Sequence, residues 1–205
     1  VRQFNQESTT PIYVLGDLSS SMQFKGKQRK LDKAIEIATA VANAAYQAGD
    51  LFGFIGYNDE VIEDCTLPLS RDFHQSKQNI ANLKDYTKMQ AGADGVTDAP
   101  NFLSQDKGLI FWVSDFHMPL EMIAKTLSAM SAHKVIPIIL WDDQEYRSLP
   151  KFGFSTMIDP ETGLNRTVFF RKEIREKFIA AFDQRKAALE ALIIKHESPG
   201  LFMEQ

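Results

Sequence analysis

A single cysteine, Cys65, stands in 205 residues. No internal disulfide can form, which fits a reducing compartment and leaves the fold to be held by packing. The four histidines are scattered rather than grouped with cysteines, which excludes a structural zinc site of the Cys/His type. The longest apolar runs, Leu109 to Val113 and Val135 to Trp141, fall far short of the roughly 20 residues that span a bilayer. Basic residues form no stripe: 23 Lys and Arg are interspersed with 27 Asp and Glu, for a net charge of −4. The electrostatic footprint of a nucleic-acid partner is therefore missing, and that class is set aside. No internal repeat or low-complexity tract is visible. What remains is ordinary globular composition, 44% hydrophobic and 24% charged, sufficient for one sizeable core. The chain begins at Val1 rather than Met, as a fragment of a longer protein would. A cytoplasmic placement is expected, with membrane association only through a segment outside these residues.

Short β-branched or aromatic runs alternate with longer amphipathic stretches. Pro11 to Gly16 reads as a buried strand ending at Asp17. Between Lys30 and Ala48, Leu31, Ala34, Ile35, Ala38, Val41, Ala42 and Ala45 fall on one helical face, and Gly49 is a natural stop. Leu51 to Tyr57 and Glu60 to Leu67, separated by Asn58-Asp59, read as an antiparallel hairpin. A polar helix is expected over Phe73 to Met89, then a loop from Gln90 to Ala99. Gly108 to Ser114, the most hydrophobic run, again ends at an aspartate. A helix near Leu120 to Ala132 leads into the strand Val135 to Trp141. Weaker strands near Phe154 to Ile158 and Thr167 to Phe170 flank a turn at Asp159 to Gly163. A helix from Lys172 to His196 closes the chain, ended by Ser198-Pro199-Gly200. The expected fold class is α/β: a mostly parallel central sheet with one antiparallel edge strand and helices on both faces. One domain over residues 1–205 is expected, with 1–10 a leading segment and 172–205 the closing helix and tail. Phe111, Trp112, Phe152, Phe154, Phe169 and Phe170 are read as core, as are Phe178, Ala181, Phe182, Leu189, Leu192 and Ile193 of the closing helix.

In such sheets ligands gather at the carboxyl ends of the strands where strand order reverses. Asp17 and Asp115 both fall at strand ends. Asp17-Leu18-Ser19-Ser20-Ser21 is a D-x-S-x-S run, one carboxylate and two hydroxyls on alternate residues of a loop. Thr97, in Gly95-Val96-Thr97, adds a third hydroxyl and Asp115 a second carboxylate. Hard oxygen donors of low total charge suit Mg²⁺. Two carboxylates balance a divalent ion formally, but neutral hydroxyls leave it electrophilic, so an outside carboxylate can complete the octahedron. A lone D-x-S-x-S more often caps a loop and a helix start. The later Thr and the second strand-end Asp favour the metal.

The ordered set Asp17, Ser19, Ser21, Thr97 and Asp115 resembles the metal-ion-dependent adhesion site of von Willebrand factor A domains. Further segments resemble a bacterial branch of that family, the MxaS-like proteins linked with MoxR-type AAA+ ATPases. They are Val1 to Phe4, Asp17 to Phe24, Gly49-Asp50, Ser114-Asp115-Phe116, Asp142 to Pro150 and Ile158 to Gly163. The resemblance implies a three-layer α/β/α, Rossmann-like domain holding Mg²⁺, with Mn²⁺ or Ca²⁺ as substitutes. Ser19, Ser21 and Thr97 would bind through hydroxyls, and at least one of Asp17 and Asp115 through a bridging water. It also implies a non-enzymatic adaptor whose partner supplies an Asp or Glu to the metal, working with a MoxR-type AAA+ ATPase in complex assembly or maturation. Phe116 stands where many A domains have Gly, a ring that narrows access or joins the partner surface. Met22 and Gln23 leave the second cation site of integrins unmatched.

The alternative is an Mg²⁺-dependent phosphohydrolase using Asp17. Haloacid-dehalogenase phosphatases carry D-x-D at the first strand end, but here the third position is Ser19, so the general acid is missing. Asp142-Asp143 is the other strand-end carboxylate pair, read as capping the loop that follows. A serine hydrolase lacks the G-x-S-x-G context around Ser19 and Ser21. His117 is read as a rim residue, and His74, His133 and His196 as solvated helix-end residues.

Overall fold

The computed structural model describes residues 9–86, 92–142, 153–158 and 165–204, with the backbone alone for 153–158 and 165–170. Strand β1 (Pro11–Asp17) lies at the centre of a six-stranded sheet. It pairs in parallel with β2 (Leu51–Tyr57) on one side and β4 (Leu109–Ser114) on the other. Beyond β2 lies β3 (Leu67–Ser70), antiparallel. Beyond β4 lies β5 (Lys134–Trp141), and outside it β8 (Leu201–Glu204), both parallel. The order β3-β2-β1-β4-β5-β8 reverses between β1 and β4, the switch point at which doubly wound sheets bind ligands. Strands β6 (Gly153–Ile158) and β7 (Asn165–Phe170) form a separate antiparallel pair.

Helices cover both faces. Helix α1 (Lys30–Ala48) buries Leu31, Ala34, Ile35, Ala38, Ala42 and Ala45 against Val14, Phe52, Phe54 and Val113. It stops at Gly49, whose φ of 77° is the left-handed conformation that glycine adopts without penalty. Helix α2 (Phe73–Asn82) joins that layer through Ile80, and Asp72 caps it by accepting from the Gln75 amide at 3.0 Å. On the opposite face, α3 (Leu120–Ala129) and α4 (Lys172–Lys195) bury Ile123, Leu127, Leu189 and Ile193 against Tyr13, Leu15, Ile110 and Trp112. This is the three-layer architecture, mostly parallel with one antiparallel edge strand, that the resemblance to von Willebrand factor A domains implies.

Several expectations need correction. The second hairpin strand is not Glu60 to Leu67. Val61 makes one bridge to Tyr57, Glu63–Cys65 form a 3-10 turn, and only Leu67–Ser70 pair with β2. Adjacent acids at Glu63-Asp64 break the two-residue alternation a half-buried strand needs, and the Thr66 hydroxyl donates to Ile62 O at 3.0 Å within that turn. The helix from Phe73 ends at Asn82 and passes into a 3-10 turn at Leu83–Asp85; residues 87–91 lie outside the described residues. The tail adds a strand that was not expected: β8 joins the sheet beside β5. Phe178 and Ala181 are exposed rather than core, whereas Phe182 packs against Trp141, with ring centroids 4.8 Å apart and planes tilted by 58°. Trp112 is fully buried and Phe111 partly so. The side chains of Phe152, Phe154, Phe169 and Phe170, the segment Val1 to Phe4, the stretch from Asp143 to Pro150 and the turn Asp159 to Gly163 lie outside the description.

Candidate metal centre

β1 and β4 run side by side and end together, which delivers Asp17 and Asp115 to one place. Both carboxylates are almost wholly buried, at 1% exposure each. After β1 the chain turns at once: the Leu18 amide donates to Tyr57 O at 2.7 Å, and Asp17 Oδ1 accepts from the Ser19 amide at 2.9 Å. That turn brings Ser19 and Ser21 to the same side, their hydroxyls 3.1 Å apart. The Ser21 hydroxyl lies close enough to the Asp115 carboxylate to favour its charged form. Asp17, Ser19, Ser21 and Asp115 thus line one cleft of about 240 Å³, with His117 on its wall and Asp59 and Asp94 also lining it. A larger groove of about 950 Å³ beside β3 and α2 is lined by Glu60, Glu63, Asp64 and Asp85, with no basic side chain among the described residues, and neither Asp17 nor Asp115 lines it.

Thr97 behaves differently. It closes the 3-10 turn Asp94–Thr97, and its hydroxyl donates to Asp94 O at 3.0 Å. The cleft wall at this turn is formed by Gly92, Ala93 and Asp94 rather than by Thr97. The structure therefore brings four of the five expected side chains together and leaves the fifth facing its own turn.

Residues not singled out from the sequence complete the arrangement. Ser114 Oγ donates to Asp17 Oδ2 at 2.6 Å and accepts from the Phe116 amide at 2.9 Å. Both oxygens of Asp17 are therefore already hydrogen-bonded. Lys30, the first residue of α1, is 4% exposed and places Nζ 3.0 Å from Asp115 Oδ2. Asp142 Oδ2 accepts from the Lys27 amide at 3.1 Å and pins the loop between Ser21 and Lys30; the loop it was expected to cap lies outside the described residues. His133 is not simply solvated, since Nδ1 accepts from the Gly108 amide at 3.2 Å just before β4. Ser114 had a signal in its place next to Asp115. Lys30 had none, because a lysine opening a helix normally reads as surface.

Burial drives the Asp17 carboxyl up to about 6, helped by the charge of Asp115 and opposed by the Ser114 and Ser19 hydrogen bonds. Burial pushes Asp115 the same way but is outweighed by neighbouring positive charge, and its carboxyl is held at about 2. Of the two cations beside it, His117 stands at 3.7 Å and is itself lowered by burial, so Lys30 is the lasting countercharge. The Lys30 ammonium pairs with Asp115, while Asp17 is held up by burial and by the charge of Asp115, so the cleft is negative.

That charge, with two adjacent hydroxyls, fits a hard divalent cation. Among the described residues no group of three or more His, Cys, Asp or Glu side chains could hold a metal, so an ion here would rest on hydroxyls beside the two carboxylates. Asp17, Ser19, Ser21 and Asp115 are the donors such an ion would meet.

The loop after β4 is fastened from the far end of the chain. Phe116 is fully buried with φ 53°, a left-handed conformation that costs a bulky residue about 1–2 kcal/mol. Arg185 of α4 offsets this by donating from Nη2 to Phe116 O at 2.8 Å and to Met118 O. Substituting Arg185→Met should cost about 2 kcal/mol in chemical denaturation, since two carbonyls lose a charged donor. A loss below about 0.5 kcal/mol would show that the loop holds itself.

Comparison with known proteins bears on the fold and the family. The chain is similar to a Paracoccus denitrificans protein named "uncharacterized protein in moxR 3' region", 29% identical over 94 residues, covering 46% of this chain and 90% of that protein. The fold matches BatB from Bacteroides thetaiotaomicron at 15% identity and a TM-score of 0.54, over 97% of this chain and 91% of that one. It also matches an aerotolerance-related membrane protein from Bacteroides fragilis at 14% identity and a TM-score of 0.55, over 96% and 92%. Among the described residues no helix is long and apolar enough to cross a membrane. Residues 1–188 match the family described as protein of unknown function DUF58, and the chain belongs to that family.

Proposed function

We propose that this domain is a metal-dependent protein-binding module that holds Mg²⁺ between β1 and β4 and uses it to bind an acidic side chain of a partner. The observation that carries the reading is the gathering of Asp17, Ser19, Ser21 and Asp115 in one cleft at the switch point of the sheet. Mn²⁺ or Ca²⁺ would use the same oxygens. Thr97 would join once its hydroxyl turned from Asp94 O toward the cleft. Without a cation the cleft repels an acidic ligand, because Asp59 and Asp94 add to the charge of the two buried carboxylates. With the ion in place the sign reverses locally, so the partner's carboxylate is bound only by the loaded form.

A MoxR-type AAA+ ATPase is the partner we propose, on the strength of the Paracoccus relative's name, with complex assembly or maturation as the process. The domain itself would be no enzyme. A phosphohydrolase of the D-x-D type needs a general acid two residues after its nucleophile, and Ser19 stands there. The proposal predicts Mg²⁺-dependent capture of the MoxR-type ATPase by the immobilised domain, abolished by chelator and by Asp17→Ala, with no phosphoester turnover. Capture that ignores both treatments would refute a metal-bridged contact. Turnover requiring Mg²⁺ and Asp17 would favour the phosphohydrolase.

A further inference from the structure

Lys30 is an unusual neighbour for a cation site. A lysine side chain is seldom almost wholly buried unless it is paired. Here Nζ lies 3.0 Å from Asp115 Oδ2 and 5.6 Å from the centroid of the Phe24 ring. The residue has little freedom to withdraw. Its amide donates to Phe24 O at 3.2 Å, and the bridge between Lys25 and Arg29 closes the loop just before it. The loop is held in turn by Asp142 on the Lys27 amide and by Arg29 on Gln23 Oε1 at 3.1 Å. The ammonium is thus tethered beside a carboxylate on the wall of the cation cleft.

We infer that Lys30 is a resident competitor for the divalent cation, lowering the site's intrinsic metal affinity by occupying part of the charge of Asp115. The inference rests on the metal-binding reading above and specifies how that site is regulated. Charge accounting shows the effect. Counting the buried groups, two carboxylates and one ammonium leave one net negative charge for a divalent ion to neutralise, and the loaded set ends with one positive charge in excess; Asp59 and Asp94 on the same cleft are exposed and screened by water. With a neutral residue in place of Lys30, the same ion would meet two negative charges and leave none unbalanced. A like charge held within a buried site opposes the incoming ion far more than it would in water. The excess positive charge is what a partner's carboxylate would balance. The cation therefore binds weakly alone and firmly with an acidic ligand, which couples metal loading to partner engagement.

The test is calorimetric titration of MgCl₂ and MnCl₂ into the parent, Lys30→Met, Lys30→Arg and Asp17→Ala. Lys30→Met is expected to bind at least tenfold tighter than the parent. Lys30→Arg, which keeps the charge, should stay within about threefold of the parent, and Asp17→Ala should not bind. Lys30→Met leaves Asp115 without its counter-ion, so its metal-free form should melt lower and regain stability when Mg²⁺ is added. If Lys30→Met folds only with Mg²⁺, the cation replaces the ammonium and the inference stands. If it folds in neither condition, Lys30 is a structural pillar and the inference fails. A parent that binds and a Lys30→Met that binds no more tightly would overturn the competitor role while leaving the metal site intact. If neither binds any cation, the metal-binding reading falls, and this inference with it.

Discussion

Asp17→Asn is expected to stabilise the metal-free domain at pH 8 by about 3 kcal/mol, raising its melting temperature by roughly 5 to 10 °C. The amide keeps the shape of the carboxylate. Its oxygen can accept from the Ser19 amide, and its NH₂ can donate to Ser114 Oγ in place of the bond now made in the other direction. What disappears is a buried negative charge next to Asp115. The Asp17 carboxyl sits at about 6 in the folded protein against 3.8 ordinarily, so the folded state holds its proton more tightly than the unfolded state. That contribution favours folding below about pH 4 and is lost as pH rises through about 6. The advantage of Asn should therefore be complete above about pH 7 and vanish below about pH 4. Mg²⁺ should raise the melting temperature of the parent and leave the variant where it is. Equal stability of the two proteins at pH 8 without metal would show that Asp17 is not under electrostatic load. Asp115 acts in the opposite sense: held at about 2, it contributes stability above about pH 4 that is lost as pH falls toward 2 in both proteins. Metal sites commonly show this tension, since the groups that await the ion repel one another without it.

Gly95→Ala should be the most damaging single-methyl addition near the site, costing about 2–4 kcal/mol. A Cβ there would lie 2.3 Å from the Glu60 carbonyl carbon and 2.5 Å from its Cα and O. These are backbone atoms, so no side chain can swing aside. The Gly95 amide also donates to Asn58 O at 3.0 Å, stitching the turn of Asp94 and Thr97 to the end of β2. Pushing the turn away would break that bond and displace Asp94 from the cleft, so cation binding should weaken as well. Gly49→Ala is the control. Its φ is 77° but nothing lies within 4 Å of an added Cβ, and it should cost only about 1 kcal/mol. If denaturant titrations put the two substitutions on a par, the close approach at Gly95 would be absent in solution.

The sheet was legible because its central strands are continuous apolar runs, buried on both faces, and end on polar residues. Pro11 to Asp17, Leu51 to Tyr57 and Leu109 to Ser114 announce themselves this way, and α1 does so by its regular apolar face. The four residues that meet in the cleft were legible for a related reason: short loops leave strand-end carboxylates and D-x-S-x-S hydroxyls little choice of direction. β3 and β8 were not, because four-residue strands carry too few alternations to stand out, and β8 is defined by its pairing with β5 rather than by its own composition. Lys30 and Arg185 were hidden for a deeper reason. Their partners, Asp115 and the Phe116 and Met118 carbonyls, lie about 70 to 85 residues away in sequence, and long-range pairing leaves no periodic trace. Thr97 marks the opposite limit, a residue whose place in a motif says nothing about where its hydroxyl points.

The brief strand β8 has a consequence for how this domain keeps its own copies apart. Ile138 to Trp141 of β5 would otherwise present a row of unpaired amides and carbonyls on an apolar run, the kind of template onto which another chain adds a strand. Leu201–Glu204 occupy that row, and the four residues of β3 do the same service at the other end, so among the described residues the sheet ends on both sides in four-residue strands, which offer a neighbour little to pair with. A version trimmed just after α4 would keep every cation donor, yet it should self-associate through β5.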